Sequence, residues 1–290
     1  MKHIFLINSY AIKNDVDILK NNITEYCKNN KIDYKIEING NGLETEDILK
    51  KYQKTNYIII AIGGDGILNR TLNCLIGTPN ILSFIPYGTG NDFYKTVKKQ
   101  FKIGNNKCDI IKINDRYFIN TACFGIDAEV ANNKNMIKTK LIPKKQKYNI
   151  SLLYNFFKYK CRNFAIKIEN REINDDFATI AICNGTFYGG GYNIGPKSVL
   201  NDGKFEVYLA PKLNKISMIK LILQMKKGQH EESKRIEKIV TDKLSIKSPI
   251  KITCNIDGEQ LRDKRFNIEL IKDGITIYYD ENMIQALKND

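Results

Sequence analysis

The chain has 290 residues, 42% of them hydrophobic and 27% charged, a balance that suits a globular protein with a sizeable core in one large or two ordinary domains. Its net charge of +14 suits a surface that attracts anions, although a chain crowded with Lys, Asn and Ile reaches the same charge through an AT-rich coding sequence. Two histidines set aside His-centred catalysis, seven scattered cysteines without a CxxC pair set aside a disulfide framework or structural zinc, and no apolar run approaches the ~18 residues that span a bilayer.

Ile4 to Ile7 reads as a first buried strand, closed by Asn8-Ser9-Tyr10-Ala11. Val16 to Cys27 follows with helical spacing, Tyr34 to Ile38 as a second strand and Asp47 to Tyr52 as part of a second helix. Tyr57 to Ile62 is an unbroken apolar run rich in isoleucine, the pattern of a parallel strand buried on both faces. Gly63-Gly64-Asp65-Gly66 comes next, and then Leu68, Leu72, Leu75 and Ile76 at helical spacing. This is strand, tight glycine turn and helix, in which the turn lets a ligand approach the backbone and the helix start offers N–H groups to an anion. Asp65 would repel a phosphate unless a cation sat between them, and Mg²⁺ is the usual choice. No Gly-Lys-Ser/Thr follows, so this is not a Walker A loop; taken alone, the turn also fits an Asp that caps a helix.

Ile81 to Ile85 reads as a fourth strand and runs into Pro86-Tyr-Gly-Thr89-Gly-Asn91-Asp92-Phe93. Strands alternating with helices predict an open, parallel α/β sheet, whose ligands bind beyond the carboxyl ends of the strands. Asp92 fits a helix N-cap, while Thr89 and Asn91 are placed to hydrogen-bond a phosphate or a base.

Beyond about residue 108 strand-like runs dominate: Cys108–Ile113, Tyr117–Ala122, Phe164–Ile168, Ala178–Cys183, Phe205–Ala210, Leu244–Ile246, Ile250–Ile256 and Ile275–Tyr279. Their alternation predicts an antiparallel, β-rich second domain. Two helices interrupt it, one through Ile150, Leu153, Tyr154 and Phe157, the other carrying Ile216, Ile219 and Leu223. The expected fold is thus an N-terminal open α/β, Rossmann-like domain over residues 1–120, followed by a β-rich domain over 121–280. Asp202-Gly203 and Asp257-Gly258 are ordinary turn signals, yet Glu259 after the second is free to project into a cleft. In a chain almost without histidine, a carboxylate is the default general base for an attacking hydroxyl.

Together these blocks resemble the diacylglycerol kinase catalytic-domain family, in its soluble bacterial lipid-kinase branch. The matching residues are Gly63-Gly64-Asp65-Gly66 with Asn69, Pro86 to Phe93, Asn120 with Gly125-Ile-Asp127-Ala128, Asn184-Gly185, Gly189-Gly190-Gly191 with Pro196, Asp202-Gly203, Gly228-Gln-His230 and Asp257-Gly258-Glu259. One glycine turn is weak evidence; the blocks in family order are strong.

The resemblance implies an ATP-dependent lipid kinase in which the first, Rossmann-like α/β domain binds the nucleotide, the antiparallel β-rich domain is a β-sandwich and residues 281–290 return to the first domain. ATP would lie over Asn8 and Ser9, over Gly63, Gly64, Asp65, Gly66, Ile67, Leu68, Asn69 and Arg70, and at Thr89. Glu259 would be the general base on the lipid hydroxyl. Asp65 would reach a catalytic Mg²⁺ through water, supported by Asp92 and Asp127. A second, structural Mg²⁺ would be held by Asp202 with carbonyls at Val199 and Lys204. The acceptor would be a membrane lipid presented at the bilayer surface, with diacylglycerol giving phosphatidic acid as the leading case. Monoacylglycerol, ceramide-like and phosphatidylglycerol acceptors stay open.

The departures from the family pattern are Ser9 for Pro, Ile12 for Gly, Ile67 for Thr and Arg70 for Glu; they bear on nucleotide affinity and choice. An NAD kinase-like enzyme and a non-catalytic nucleotide- or lipid-binding regulator are the competing readings. Location is expected to be cytoplasmic, peripheral at the inner membrane face, where the basic stretch Lys134 to Arg162 either meets anionic lipid or solvates the back of a core helix. No nucleic-acid motif is present, and a homodimer through an edge strand is left open.

Overall fold

A computed structural model describes residues 1–12, 15–40, 42, 44–88, 90–125 and 161–288. Four strands build the first sheet: β1 (His3–Asn8), β2 (Tyr34–Asn39), β3 (Ile58–Gly63) and β4 (Ile81–Pro86). They lie in the order β2-β1-β3-β4, all parallel. The helical segments between and after them are α1 (Ser9–Ile12), α2 (Val16–Asn29), α3 (Thr45–Leu49), α4 (Asp65–Leu75) and α5 (Asp92–Gln100). The isoleucine run earns its burial by alternation. Ile58, Ile60 and Ile62 pack with Phe5 and Leu19 on one face, while Ile59 and Ala61 pack with Leu68 and Leu72 on the other. Each buried isoleucine contributes roughly 1.5–3 kcal/mol.

The second part is antiparallel. It comprises β5 (Gly104–Ile113), β6 (Arg116–Phe118), β7 (Thr121–Gly125), β8 (Arg162–Ile168), β9 (Arg171–Cys183), the small hairpin β10 (Phe187–Tyr188) and β11 (Tyr192–Asn193), β12 (Phe205–Pro211), β13 (Glu237–Thr241), β14 (Lys243–Ile256) and β15 (Glu259–Tyr279). Its core centres on Phe124, Phe164 and Phe266, with Phe124 and Phe266 edge to face at 4.9 Å. The expected two-part fold, α/β then β-rich, is the observed one.

Three details differ from the sequence reading. Leu244–Ile246 and Ile250–Ile256 are one strand, β14, with a register shift between Lys247 and Ile252. Ile275–Tyr279 is only the end of β15, which runs 21 residues and pairs with β4 through Ile277 and Leu82, so the strands of both parts share one hydrogen-bonded path. Tyr117–Ala122 is two strands, because the N–H groups of Ile119, Asn120 and Thr121 turn to the Asp257 carboxylate. The expected helix carrying Ile216, Ile219 and Leu223 is α6 (Lys215–Lys227), which buries Met218, Leu221 and Met225 and leaves those three exposed. The last helix, α7 (Glu281–Leu287), packs Met283 and Leu287 against the core of the first sheet, and Tyr87 Oη donates to the Leu287 carbonyl at 2.8 Å. The expected helix through Ile150 and Phe157, and nearly all of the Lys134–Arg162 stretch, lie outside the described residues.

Candidate active site

In the order β2-β1-β3-β4 the connections leave β1 and β3 toward opposite sides, so the crevice between their carboxyl ends is where a ligand of such a sheet binds. Asn8 and Gly63 meet there: a methyl group placed on Gly63 would lie 3.2 Å from the Asn8 Cβ and 2.7 Å from Ile67 Cγ2. Asn8 Oδ1 accepts from the Tyr10 N–H at 3.2 Å, and the Ser9 hydroxyl donates to the Asn39 carbonyl at 2.7 Å. The first loop is thereby held against β2.

The glycine turn begins α4. Gly64 stands at its N-cap without a capping side chain, which leaves the first-turn N–H groups to other acceptors. The turn and the loop after β4 are packed backbone to backbone. Tyr87 N–H donates to the Gly63 carbonyl at 2.8 Å, and a methyl group on Gly88 would come within 2.6 Å of Gly64 Cα and 2.8 Å of Asn91 Oδ1. Gly88→Ala is therefore expected to part the two loops. Nucleotide KM should rise by about tenfold or more and stability fall by about 1–3 kcal/mol. Nucleotide titration and thermal melting check this; wild-type values for both would show that the loops tolerate separation.

Asn91 sits in the left-handed region (φ 49°) and exchanges hydrogen bonds with Gly88, so its amide closes the loop instead of facing a ligand. Asp65 crosses to the same loop. Its carboxylate accepts from the Asp92 N–H at 3.2 Å and the Phe93 N–H at 3.3 Å, capping α5. Asp92 in turn takes the Lys95 ammonium at 2.9 Å and the Gly190 N–H at 2.8 Å. Burial, with the Asp92 charge adding to it, raises the Asp65 carboxyl above the ordinary carboxylate range. Two adjoining carboxylates beside an uncapped helix start fit a divalent cation that relieves their repulsion and meets phosphate on its other side.

Glu259 comes from the opposite part of the molecule, at the first position of β15, yet a methyl group on Gly66 would lie 3.1 Å from its Oε1. The glycine turn and the expected base thus share one point. Arg70, one helical turn further along α4, has its Nε 4.0 Å from the same oxygen and without a hydrogen-bond partner among the described residues.

The remaining expected residues divide clearly. Ile67 and Leu68 point their side chains into the core, so only their backbone can face a nucleotide. Asn69 is buried and donates to the Tyr117 carbonyl and to Asp257. Thr89 and Asp127 lie outside the described residues. In the loop expected to hold a structural cation, Asp202 Oδ1 accepts from the Lys204 N–H at 3.0 Å, and the Lys204 ammonium is paired with Asp242. Among the described residues no three His, Cys, Asp or Glu side chains converge.

Two positioning residues were not assigned from sequence. Asp257, buried, accepts from the N–H groups of Ile119, Asn120 and Thr121 and from the Asn69 amide, and so fixes the turn that carries Glu259 to β6, β7 and α4. Burial pushes its carboxyl up to about 6 against the pull of those donors. Asp109, fully buried, accepts from Gly203 at 2.7 Å and Asp273 at 2.8 Å and fixes the Asp202 loop to β15. An Asp inside the apolar run Cys108–Ile113 was the available signal.

The description "Diacylglycerol kinase catalytic domain" fits residues 2–117, and "YegS C-terminal NAD kinase beta sandwich-like domain" fits residues 120–278, more than half of the chain. The chain belongs to the YegS-like lipid kinases. A Yersinia enterocolitica protein named "Probable lipid kinase YegS-like" is 30% identical over 75% of this chain and 77% of its own length. One of the same name from Alcanivorax borkumensis is 27% identical over 77% and 79%. A crystal structure from Bacillus anthracis str. Sterne matches with a TM-score of 0.76 at 21% identity, covering 97% of this chain and 96% of that one. A second from that organism, described as a diacylglycerol kinase, gives 0.70 at 17% identity, covering 97% and 98%. At these identities the structures speak for the fold. The lipid kinase family brings a nucleotide substrate and a divalent metal with it. No helix among the described residues is long and apolar enough to cross a membrane.

Proposed function

We propose that this lipid kinase transfers the γ-phosphate of ATP to the hydroxyl of diacylglycerol, giving phosphatidic acid. The observation that carries the reading is the meeting of Glu259 with Gly66: a carboxylate from one part of the fold stands at the glycine turn of the other. In this reading the first-turn N–H groups of α4 hold the terminal phosphates, with Asn8 and Ser9 shaping the adjoining wall. Glu259 takes the proton of the acceptor hydroxyl as its oxygen attacks the γ-phosphorus, the bond to the bridging β-phosphate oxygen breaks and ADP leaves. Asp65 would hold a Mg²⁺ through water, and Asp92 holds Asp65 through its N–H. When bound, Mg²⁺ neutralises the charge that builds on the transferring phosphate. A second Mg²⁺ at Asp202 and the Val199 and Lys204 carbonyls would brace the loop that Asp109 already ties to β15.

The test offers purified enzyme Mg-ATP with diacylglycerol, monoacylglycerol, ceramide and phosphatidylglycerol in mixed micelles, and NAD as a further acceptor. Phosphate on diacylglycerol above the others is the expected result, with no transfer when Mg²⁺ is chelated. Phosphorylated NAD in its place would overturn the lipid assignment. Bound ATP with no transfer to any acceptor would mark an idle binder.

A further inference from the structure

Helix α6 has two apolar stripes where a helix on a protein surface needs one. Met218, Leu221 and Met225 are buried against β9, β12 and the β10–β11 hairpin. On the far side Ile216, Ile219 and Leu223 are 82%, 40% and 59% exposed. At about 100° per residue these three fall within an arc of about 60°. The same count places Lys220 and Lys227 along one edge of that arc and Lys215 and Lys226 along the other; all four are exposed. The helix contains no acidic residue. Lys212, also exposed, precedes it.

We propose that α6 is an interfacial helix that seats the enzyme on anionic bilayers, with Ile216, Ile219 and Leu223 below the headgroups and the flanking lysines on lipid phosphates. A narrow apolar stripe between two rows of lysine is the form that lies in a membrane interface. The charges decide the occupant. Two copies of this face brought together would set lysine against lysine, whereas an anionic bilayer neutralises both rows.

The position of the helix gives the docking its use, and here the inference rests on the lipid-kinase reading. The inner face of α6 packs on Tyr192 of β11. The tip of that same hairpin donates the Gly190 N–H to Asp92 at 2.8 Å. One hairpin therefore separates the membrane-facing helix from the carboxylates of the active site, which places the cleft where a lipid hydroxyl is presented.

The experiment measures co-sedimentation of the full chain with vesicles of phosphatidylcholine containing phosphatidylglycerol and with phosphatidylcholine alone. It compares wild type, Ile216→Ser/Ile219→Ser/Leu223→Ser and Lys220→Glu/Lys227→Glu. Wild type should bind the anionic vesicles, less so as salt rises. Each variant should bind about tenfold more weakly or worse. Transfer to a short-chain monomeric diacylglycerol should be unchanged, while transfer to long-chain lipid in vesicles falls with binding. Both variants alter exposed positions and should melt as wild type does. Equal vesicle binding by all three proteins, or none by wild type, overturns the proposal. So does a wild-type dimer that the triple serine variant dissociates without loss of vesicle binding. Vesicle binding that follows these expectations, with no phosphate transfer to any lipid, upholds the docking surface and overturns the lipid-kinase reading instead.

Discussion

Glu259→Gln is expected to lower phosphate transfer to the lipid by about 10²–10⁴-fold while leaving ATP binding and the melting temperature near wild type. The amide keeps the shape of the carboxylate and loses only the capacity to take a proton. Its surroundings tolerate the exchange: the side chain is about a third exposed, its nearest cation is Arg70 at 4.0 Å, and Gly66 offers no side chain to clash with. No buried charge is stranded, because Arg70 is itself partly in solvent. The N–H groups proposed to hold the phosphates belong to α4 and do not depend on the acid. The loss should therefore fall on kcat and spare the nucleotide KM, the pattern of an interaction made in the transition state. Single-turnover transfer from Mg-ATP, run beside a nucleotide-binding titration, separates the two. A variant within about threefold of the wild-type rate, far from the loss expected of a missing general base, would place the base elsewhere.

The parts of this site that local chemistry dictates were legible in the sequence. The isoleucine run, the glycine turn and Asp65 are contiguous, and their meaning follows from strand burial and backbone freedom. The turn Asp257-Gly258-Glu259 was visible as a turn, and the resemblance supplied its role. What the sequence hides is who meets whom across long separations. Asp257 bonds to Ile119, Asn120, Thr121 and Asn69, the last 188 positions away. No periodicity reports such a partner. Asn69 and Asn91 belong to motifs that suggest ligand contact, yet their amides are spent inside the protein. The polar half of β15, from Glu259 onward, was missed because its charged residues mask an alternation that Phe266 and Ile268 continue. In α6, helical spacing identified a helix but could not choose between two apolar stripes. The exposed one has the more prominent aliphatic residues, and burial went to the methionine-rich one.

Asp257→Ala is expected to cost about 2–4 kcal/mol of stability at pH 8 and to cut transfer with it. Four donors converge on this carboxylate, at 2.8 to 3.1 Å, and all are buried around it. Each buried donor left unpaired costs about 1–3 kcal/mol. Relief from holding a charge inside the protein offsets part of that sum, because burial disfavours the ionised form. The pH dependence separates the two effects. The carboxyl titrates near 3.8 when the chain is unfolded and at about 6 in the fold. Between those values the folded state holds the proton and the unfolded state has released it, so the contribution of Asp257 weakens as pH rises from about 4 to 6. The cost of the substitution should therefore be larger at pH 5 than at pH 8, by about 1–3 kcal/mol. Glu37, Glu231 and Glu281, held down at about 2 by their lysine and tyrosine partners, lose stability in the opposite direction as pH falls, but they are common to both proteins and cancel in the difference. Denaturant unfolding of wild type and variant at the two pH values gives the comparison. A difference that does not change with pH would mean that the four donors outweigh burial and keep Asp257 ionised throughout. A variant as stable as wild type at both would mean that the turn carrying Glu259 is held by β14 and β15 alone.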